Sequence, residues 1–196
     1  MKGNRWDDHF TRRARKEGWR ARSVYKLQEI DKKYGLIRKG DRLLDLGCYP
    51  GSWSQYAIKK VGPKGDVVGI DLTPPDRLSS PLFSFIQADV HVLDPEWLAR
   101  EIGPRDVVIS DLAPRTTGIP ATDVSRSMAL ARRAYGIALA LLGKKGRLLC
   151  KVFEGEDLGQ LRSEASARFG QLRLLRPTAT RKGSREIYLV GLNFIQ

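Results

Sequence analysis

From Arg42 onward the chain alternates short apolar runs with helical patterns, and no other feature constrains its fold as strongly. Leu43–Leu46, Asp66–Leu72, Phe83–Gln87, Val107–Leu112, Arg147–Phe153 and Glu186–Phe194 read as strands, with Gln171–Leu175 as a further one. Ser52–Val61, Pro95–Ile102, Asp123–Leu142 and Leu158–Phe169 read as helices, the third stopped by Gly-Lys-Lys-Gly. Strands alternating with helices specify βαβ units joined by right-handed connections. The expectation is an α/β domain with a mostly parallel sheet covered on both faces. In open sheets of this kind ligands bind beyond the carboxyl ends of the strands.

The first forty residues are different. They read as helical, with Val24, Leu27, Ile30 and Tyr34 on one face and Gly35 as the stop. They are also strongly basic. The whole chain carries 35 Lys+Arg against 22 Asp+Glu, a net charge of +13. Residues 1–42 hold 14 of the basic and 6 of the acidic side chains. Such a local excess favours a polyanionic partner, most often nucleic acid. We therefore divide the chain into a basic helical N-terminal extension, 1–41, suited to nucleic acid, and an α/β domain, 42–196. Arg5, Arg12, Arg13, Arg15, Arg20 and Arg22 are the phosphate-binding candidates, and Trp6 and Trp19 are candidates for stacking on bases or for packing.

Two cysteines, Cys48 and Cys150, cannot build a disulfide framework or a multi-cysteine zinc module, and they suit a reducing compartment. The first 20 residues lack the apolar run of a signal peptide, and Arg132 and Arg133 interrupt the longest apolar stretch. The expectation is a cytoplasmic protein with no membrane partner, working as a monomer.

Asp45-Leu46-Gly47-Cys48-Tyr49-Pro50-Gly51-Ser52-Trp53 follows the first strand and opens a helix. Gly47 and Gly51 allow a sharp turn and a close ligand approach. Their spacing matches neither the dinucleotide fingerprint nor the P-loop. Asp71 closes the second strand, where a carboxylate can accept both hydroxyls of a ribose. Asp89 follows the third strand, within reach of an adenine amino group. Asp45 could meet an ammonium or sulfonium. An acidic pocket in a basic protein suits a cationic cofactor such as S-adenosylmethionine. Taken singly, each aspartate could equally cap a helix or begin a turn.

Asp111 ends the fourth strand and Lys151 lies near the end of the fifth, so neighbouring strands can pair them. A lysine buried without a partner would be costly. Glu186 begins the last strand, and Lys26 flanks the apolar face of the N-terminal helix. Two ordinary salt bridges would explain these four residues as well.

Five stretches in chain order resemble the RrmJ/FtsJ family of S-adenosylmethionine-dependent RNA 2′-O-ribose methyltransferases. They are Ser23–Leu27 (SVYKL), Asp45–Gln55 (DLGCYPGSWSQ), Ser110–Pro114 (SDLAP) followed by Gly118, Lys151–Glu156 (KVFEGE) and Ser184–Tyr188 (SREIY). The resemblance implies a Rossmann-like class I methyltransferase fold, with a seven-stranded sheet and one antiparallel strand near the C-terminus. It implies a catalytic tetrad at Lys26, Asp111, Lys151 and Glu186, and cofactor positions at Gly47, Gly51, Trp53, Asp71, Asp89 and Asp111. Departures from the family pattern are Cys48 and Tyr49 after the first glycine, Ser52 in place of a common glycine, and Arg115 in place of a small polar residue. Arg115 joins the RNA-binding candidates.

The implied reaction moves a methyl group to a ribose 2′-hydroxyl, which must lose its proton as it attacks. Lys151 is either the general base or a cation that orients the hydroxyl, and no metal is required. The shortness of the chain fits members that modify a uridine of large-subunit (23S) ribosomal RNA. Transfer RNA is the alternative substrate. A nicotinamide-dependent oxidoreductase and a non-catalytic RNA-binding or ribosome-assembly factor are the rival functions. The missing dinucleotide fingerprint weighs against the first, and the complete tetrad against the second.

Overall fold

A computed structural model describes residues 8–195. The elements run α1 (His9–Lys16), α2 (Val24–Tyr34), β1 (Arg42–Leu46), α3 (Ser52–Val61), β2 (Asp66–Asp71), β3 (Phe83–Gln87), α4 (Pro95–Ile102) and β4 (Arg105–Ser110). There follow α5 (Pro120–Leu141), β5 (Leu142–Phe153), α6 (Leu158–Ser166), β6 (Phe169–Leu175) and β7 (Glu186–Phe194). The seven strands form one sheet in the order β3-β2-β1-β4-β5-β7-β6. β7 alone runs antiparallel to its neighbours β5 and β6. The strand order reverses direction between β1 and β4, which opens a crevice at their carboxyl ends.

Alternation along each strand builds two cores. Leu44, Leu46, Val68, Ile70, Val108, Leu148 and Cys150 face α4, α5 and α6. Leu43, Val67, Val107, Ile109 and Leu149 face α2 and α3. Successive strand residues point to opposite faces, so a sheet buried on both sides reads as a continuous apolar run. Lys151 shares its face with Leu149, on the α2–α3 side.

The two N-terminal helices pack against different parts of the molecule. α2 buries Leu27 and Ile30 in the core against Trp53 and Tyr188, each worth about 1.5–3 kcal/mol on burial. It ends at Gly35, whose left-handed φ of 60° lets its N–H reach Asp31 O. The following loop is tied to β5 by Arg147, which donates to Leu36 O and to Asp41, both at 2.8 Å. α2 is thus a helix of the sheet layer. α1 instead lies outside it, with Ala14 against Val24, Tyr25 and Ala179.

Most strands differ from the sequence expectations by one to five residues at an end, and three boundaries show why. α5 begins at Pro120 rather than Asp123, because Asp123 acts from inside the first turn. Its carboxylate accepts from Thr117 N at 2.7 Å and from Gly118 N at 3.3 Å. The Gly-Lys-Lys-Gly segment does not stand between helix and strand. It lies within β5, where pairing with β4 jumps from Arg105↔Leu142 to Val107↔Arg147, and Lys145 adopts φ 64°. The intervening residues bulge without breaking the strand. α6 ends at Ser166, and Phe169 starts β6 by burying its ring against Phe194. No helix among the described residues is long and apolar enough to cross a membrane.

Candidate active site

A cleft of about 400 Å³ lies at the carboxyl edge of the sheet. Its size is typical of small-molecule sites. Four strand ends supply its polar wall: Gly47 after β1, Asp71 at the end of β2, Asp89 after β3 and Asp111 after β4. Leu72, Val90, Leu112 and Leu130 supply apolar surface. Gly47 is required here, since its φ is 79° and a Cβ would lie 2.8 Å from the Leu112 side chain.

The carboxylates on this wall are held by backbone donors. Asp71 accepts from Tyr49 N at 3.0 Å and Thr73 N at 3.1 Å. Asp89 accepts from His91 N at 2.9 Å. These bonds fix the side chains and leave acceptor capacity facing the cleft.

Other cofactor candidates sit elsewhere. Asp45 is fully buried beneath the loop and does not line the cleft. Ser54 Oγ donates to its Oδ2 at 2.6 Å, while Oδ1 has no hydrogen-bond partner. Burial, reinforced by the charges of Asp111 and Asp71, pushes the Asp45 carboxyl up to about 7 despite the Ser54 bond. Trp53 is also buried, and its Nε1 donates to Ser23 O at 2.9 Å. Its ring lies 6.0 Å from that of Tyr188, so it joins α3 to α2 and β7. Gly51, with φ 106°, begins α3, and a Cβ there would lie 3.0 Å from Arg20 Cδ and from Pro75 Cβ. It shapes the loop without facing the cleft.

Lys26, Asp111, Lys151 and Glu186 come together. The β4–β5 register puts Ser110 beside Cys150, so Asp111 emerges beside Lys151. Lys151 Nζ lies 3.0 Å from Asp111 Oδ1 and donates to Asp111 O at 2.7 Å. Across the antiparallel pair Lys151 faces Tyr188, two residues beyond Glu186 on the same strand face. Tyr188 OH donates to Asp111 Oδ1 at 2.8 Å. Lys26 reaches in from α2, with Nζ 2.6 Å from Glu186 Oε1 and 6.0 Å from the Tyr188 ring centre. The Lys26–Glu186 contact is a close, largely buried ion pair.

Burial alone would raise the Asp111 carboxyl. Lys151, Lys26 and the Tyr188 hydroxyl outweigh it, so Asp111 is held below its ordinary range as a carboxylate. Tyr188 is pushed well above the ordinary phenol range, by burial first and then by Asp111 and Glu186. Its hydroxyl therefore stays a donor. Sequence reasoning missed Tyr188, although it closes the quoted SREIY stretch. The signal was the strand period, which puts residues 186 and 188 on one face.

The RNA candidates divide. Arg12 and Arg15 are exposed on α1. Arg13 pairs with Glu17 at 2.6 Å and lies over the Tyr25 ring. Arg20 lies against the Gly51 loop. Arg22 pairs with Asp8 and donates to Ala179 O. Trp19 packs beside Tyr56, under Lys59, and donates to Glu17 at 3.0 Å. Arg115 lines the cleft mouth. Arg5 and Trp6 lie outside the described residues.

Comparison with known proteins agrees with this geometry. Residues 19–194 match the family described as FtsJ-like methyltransferase. A Bdellovibrio bacteriovorus protein named ribosomal RNA large subunit methyltransferase E is 47% identical over 190 residues, covering 95% of this chain and 96% of that protein. A Methanothermobacter thermautotrophicus protein of the same name is 43% identical over 201 residues, with 98% and 94% covered. A Plasmodium falciparum crystal structure described as a ribosomal RNA methyltransferase superposes with a TM-score of 0.79 at 28% identity, covering 90% of this chain and 98% of that one. The chain belongs to the FtsJ-like methyltransferase family.

Proposed function

We propose that this methyltransferase takes its methyl group from S-adenosylmethionine and places it on a ribose 2′-hydroxyl of RNA, a uridine of large-subunit ribosomal RNA. The observation that carries the reading is the convergence of Lys26, Asp111, Lys151 and Glu186 beside the acidic cleft. Asp111 belongs to both, lining the cleft and contacting Lys151. The names of the relatives support the substrate class. The basic excess of the N-terminal residues supports an RNA partner. The same reading has the chain acting as a cytoplasmic monomer, with segment 1–41 contributing RNA contacts through Arg12, Arg13, Arg15, Arg20 and Arg22, and Arg115 contributing from the cleft mouth.

The cleft fits the cofactor on the chemistry of its wall. Asp71 is the acceptor for two ribose hydroxyls, Asp89 for an adenine amino group, and Gly47 lets the donor's backbone-sized end approach. Asp111, an unprotonated carboxylate, faces a cation. When bound, S-adenosylmethionine supplies an electrophilic methyl group on a sulfonium that leaves readily.

The protein's own contribution is to place and deprotonate the hydroxyl. Lys151 Nζ has two acceptors on Asp111, which leaves it one further valence toward the 2′-oxygen. In its neutral form it takes the hydroxyl proton; in its charged form it orients the oxygen while Asp111 accepts. General-base assistance is worth about 10²–10⁴-fold, and alignment of the reacting atoms supplies much of the remainder. Lys26 and Glu186 hold the opposite wall, and Tyr188 fixes the Asp111 carboxylate. Mapping of a transferred label to a ribose oxygen of ribosomal RNA tests the reading; label on a base nitrogen or carbon contradicts it.

A further inference from the structure

Two residues of the glycine loop depart from the family pattern, and their side chains go opposite ways. Cys48 is buried, and a Cβ on Gly69 of β2 would lie 2.9 Å from its Sγ. Tyr49 is 48% exposed and lines the cleft. The loop backbone holds it there. Gly47 N and Cys48 N donate to Ile70 O at 2.8 and 3.2 Å, and Tyr49 N donates to Asp71 Oδ2 at 3.0 Å. The phenol ring is thus carried on backbone bonded to the carboxylate that the cofactor reading assigns to a ribose. Leu72, which follows Asp71 in the chain, is 59% exposed and also lines the cleft. Apolar side chains left in solvent along a concave site are surface for a ligand to cover.

The Tyr49 ring also lacks what the other tyrosines have. Tyr25, Tyr34, Tyr56 and Tyr188 lie 4.6, 5.4, 5.9 and 6.0 Å from the charged groups of Arg13, Lys33, Lys60 and Lys26. Tyr135 is buried. Among the described residues, no lysine or arginine lies over Tyr49. Its ring face is open, and a ring face attracts a cation through its quadrupole. The cleft has little unmatched negative charge beside the tetrad. Asp111 already faces Lys151 at 3.0 Å, and Asp45 is buried beneath the loop. In S-adenosylmethionine a single methylene joins the sulfonium to the ribose. A ring beside the ribose acceptor is therefore beside the sulfonium as well. Being uncharged, it favours that cation without upsetting the balance of the tetrad.

We infer that Tyr49 is a cofactor-discriminating residue, whose ring packs on the ribose–sulfonium segment and makes the cleft prefer S-adenosylmethionine to the neutral thioether left after transfer. The inference rests on the cofactor reading above and adds a specificity residue to it. When the methyl group passes to the 2′-oxygen, sulfur keeps the electron pair of the broken bond and its positive charge is lost. The ring then holds the product, S-adenosylhomocysteine, by apolar contact alone. This favours exchange of product for fresh donor.

The test is calorimetric titration of the full chain with S-adenosylmethionine and, separately, with S-adenosylhomocysteine, for the unmodified protein, Tyr49→Phe and Tyr49→Leu. No RNA and no turnover are needed. Tyr49→Leu keeps an apolar cover but has no π face. It is expected to weaken S-adenosylmethionine binding about two- to fivefold while S-adenosylhomocysteine binding stays within about twofold, so the ratio of the two affinities falls. Tyr49→Phe keeps the ring and should keep the ratio of the unmodified protein. Leu72→Ala removes apolar cover from the same rim, and it should lower both affinities together with the ratio unchanged. The side chain of Tyr49 is half exposed, so neither variant at that position removes core packing. An unchanged ratio in Tyr49→Leu would overturn the inference, and so would a fall in Tyr49→Phe as large as that in Tyr49→Leu. Tyr49→Leu that weakens RNA binding and leaves the ratio alone would overturn it too, by placing the ring on the substrate side. Failure of the unmodified chain to bind either compound would contradict the cofactor reading itself, and the inference with it.

Discussion

The two halves of the site use the same residue type in opposite ways. On the cleft wall Asp71 and Asp89 accept from backbone N–H groups of the described residues. On the tetrad side Asp111 and Glu186 each face a lysine at 3.0 and 2.6 Å. Buried ion pairs persist when each charge is matched and hydrogen-bonded. The tetrad is thus nearly balanced before substrate arrives, and its lysines can be buried without unfolding the sheet. The cleft carboxylates are left for a ligand to complete. Binding and chemistry are thereby separable, although both sit on the edge of one sheet.

The sharpest way to break that separation is Lys151→Ala. Turnover should fall by about 10²–10⁴-fold while cofactor affinity, measured by calorimetry, stays within about threefold. A parallel loss of both would mean that the two halves act as one. Asp71→Ala should do the reverse. Loss of charged hydrogen bonds to a ribose, about 1.5–3 kcal/mol, should weaken cofactor binding about 10–100-fold, with single-turnover chemistry at saturation less affected. Unchanged affinity would remove Asp71 from the site.

Asp45 sharpens the comparison from beneath. Its carboxyl is raised to about 7 in the folded chain and lies near 3.9 when unfolded. A raised acid contributes stability that is complete below the unfolded value and is lost as pH rises through the folded one. Wild-type stability should therefore decline relative to Asp45→Asn between about pH 4 and 7, by on the order of a few kcal/mol. Parallel stability–pH curves would contradict the buried placement. Trp53→Phe should have the smallest effect. Losing its bond to Ser23 O should cost about 1 kcal/mol of stability and leave cofactor affinity unchanged. A large drop in affinity would place Trp53 in the binding half.

Much of this architecture was legible in the sequence. Strand and helix periods gave the layers, and the strand-end rule brought Asp71, Asp89, Asp111 and Lys151 to one rim. What the sequence hid was depth. Asp45 and Asp71 both sit at or near strand ends, yet Asp45 points into the α3 layer under Ser54 while Asp71 reaches the cleft. The glycine loop likewise hid that Trp53 turns inward to Ser23. Lys144 and Lys145 looked like a helix stop because composition marks a turn without telling a loop from a bulge inside a strand. Basic residues were countable, but their pairing was not. Arg13 and Arg22 already have internal carboxylate partners, at Glu17 and Asp8.

The most direct measurement is transfer of a tritiated methyl group from S-adenosylmethionine to undermethylated large ribosomal subunits, with transfer RNA and Lys151→Ala protein in parallel. The account predicts label in large-subunit ribosomal RNA, mapped to a uridine 2′-oxygen and lost in the variant. Label confined to transfer RNA, or label that persists in Lys151→Ala, would contradict it.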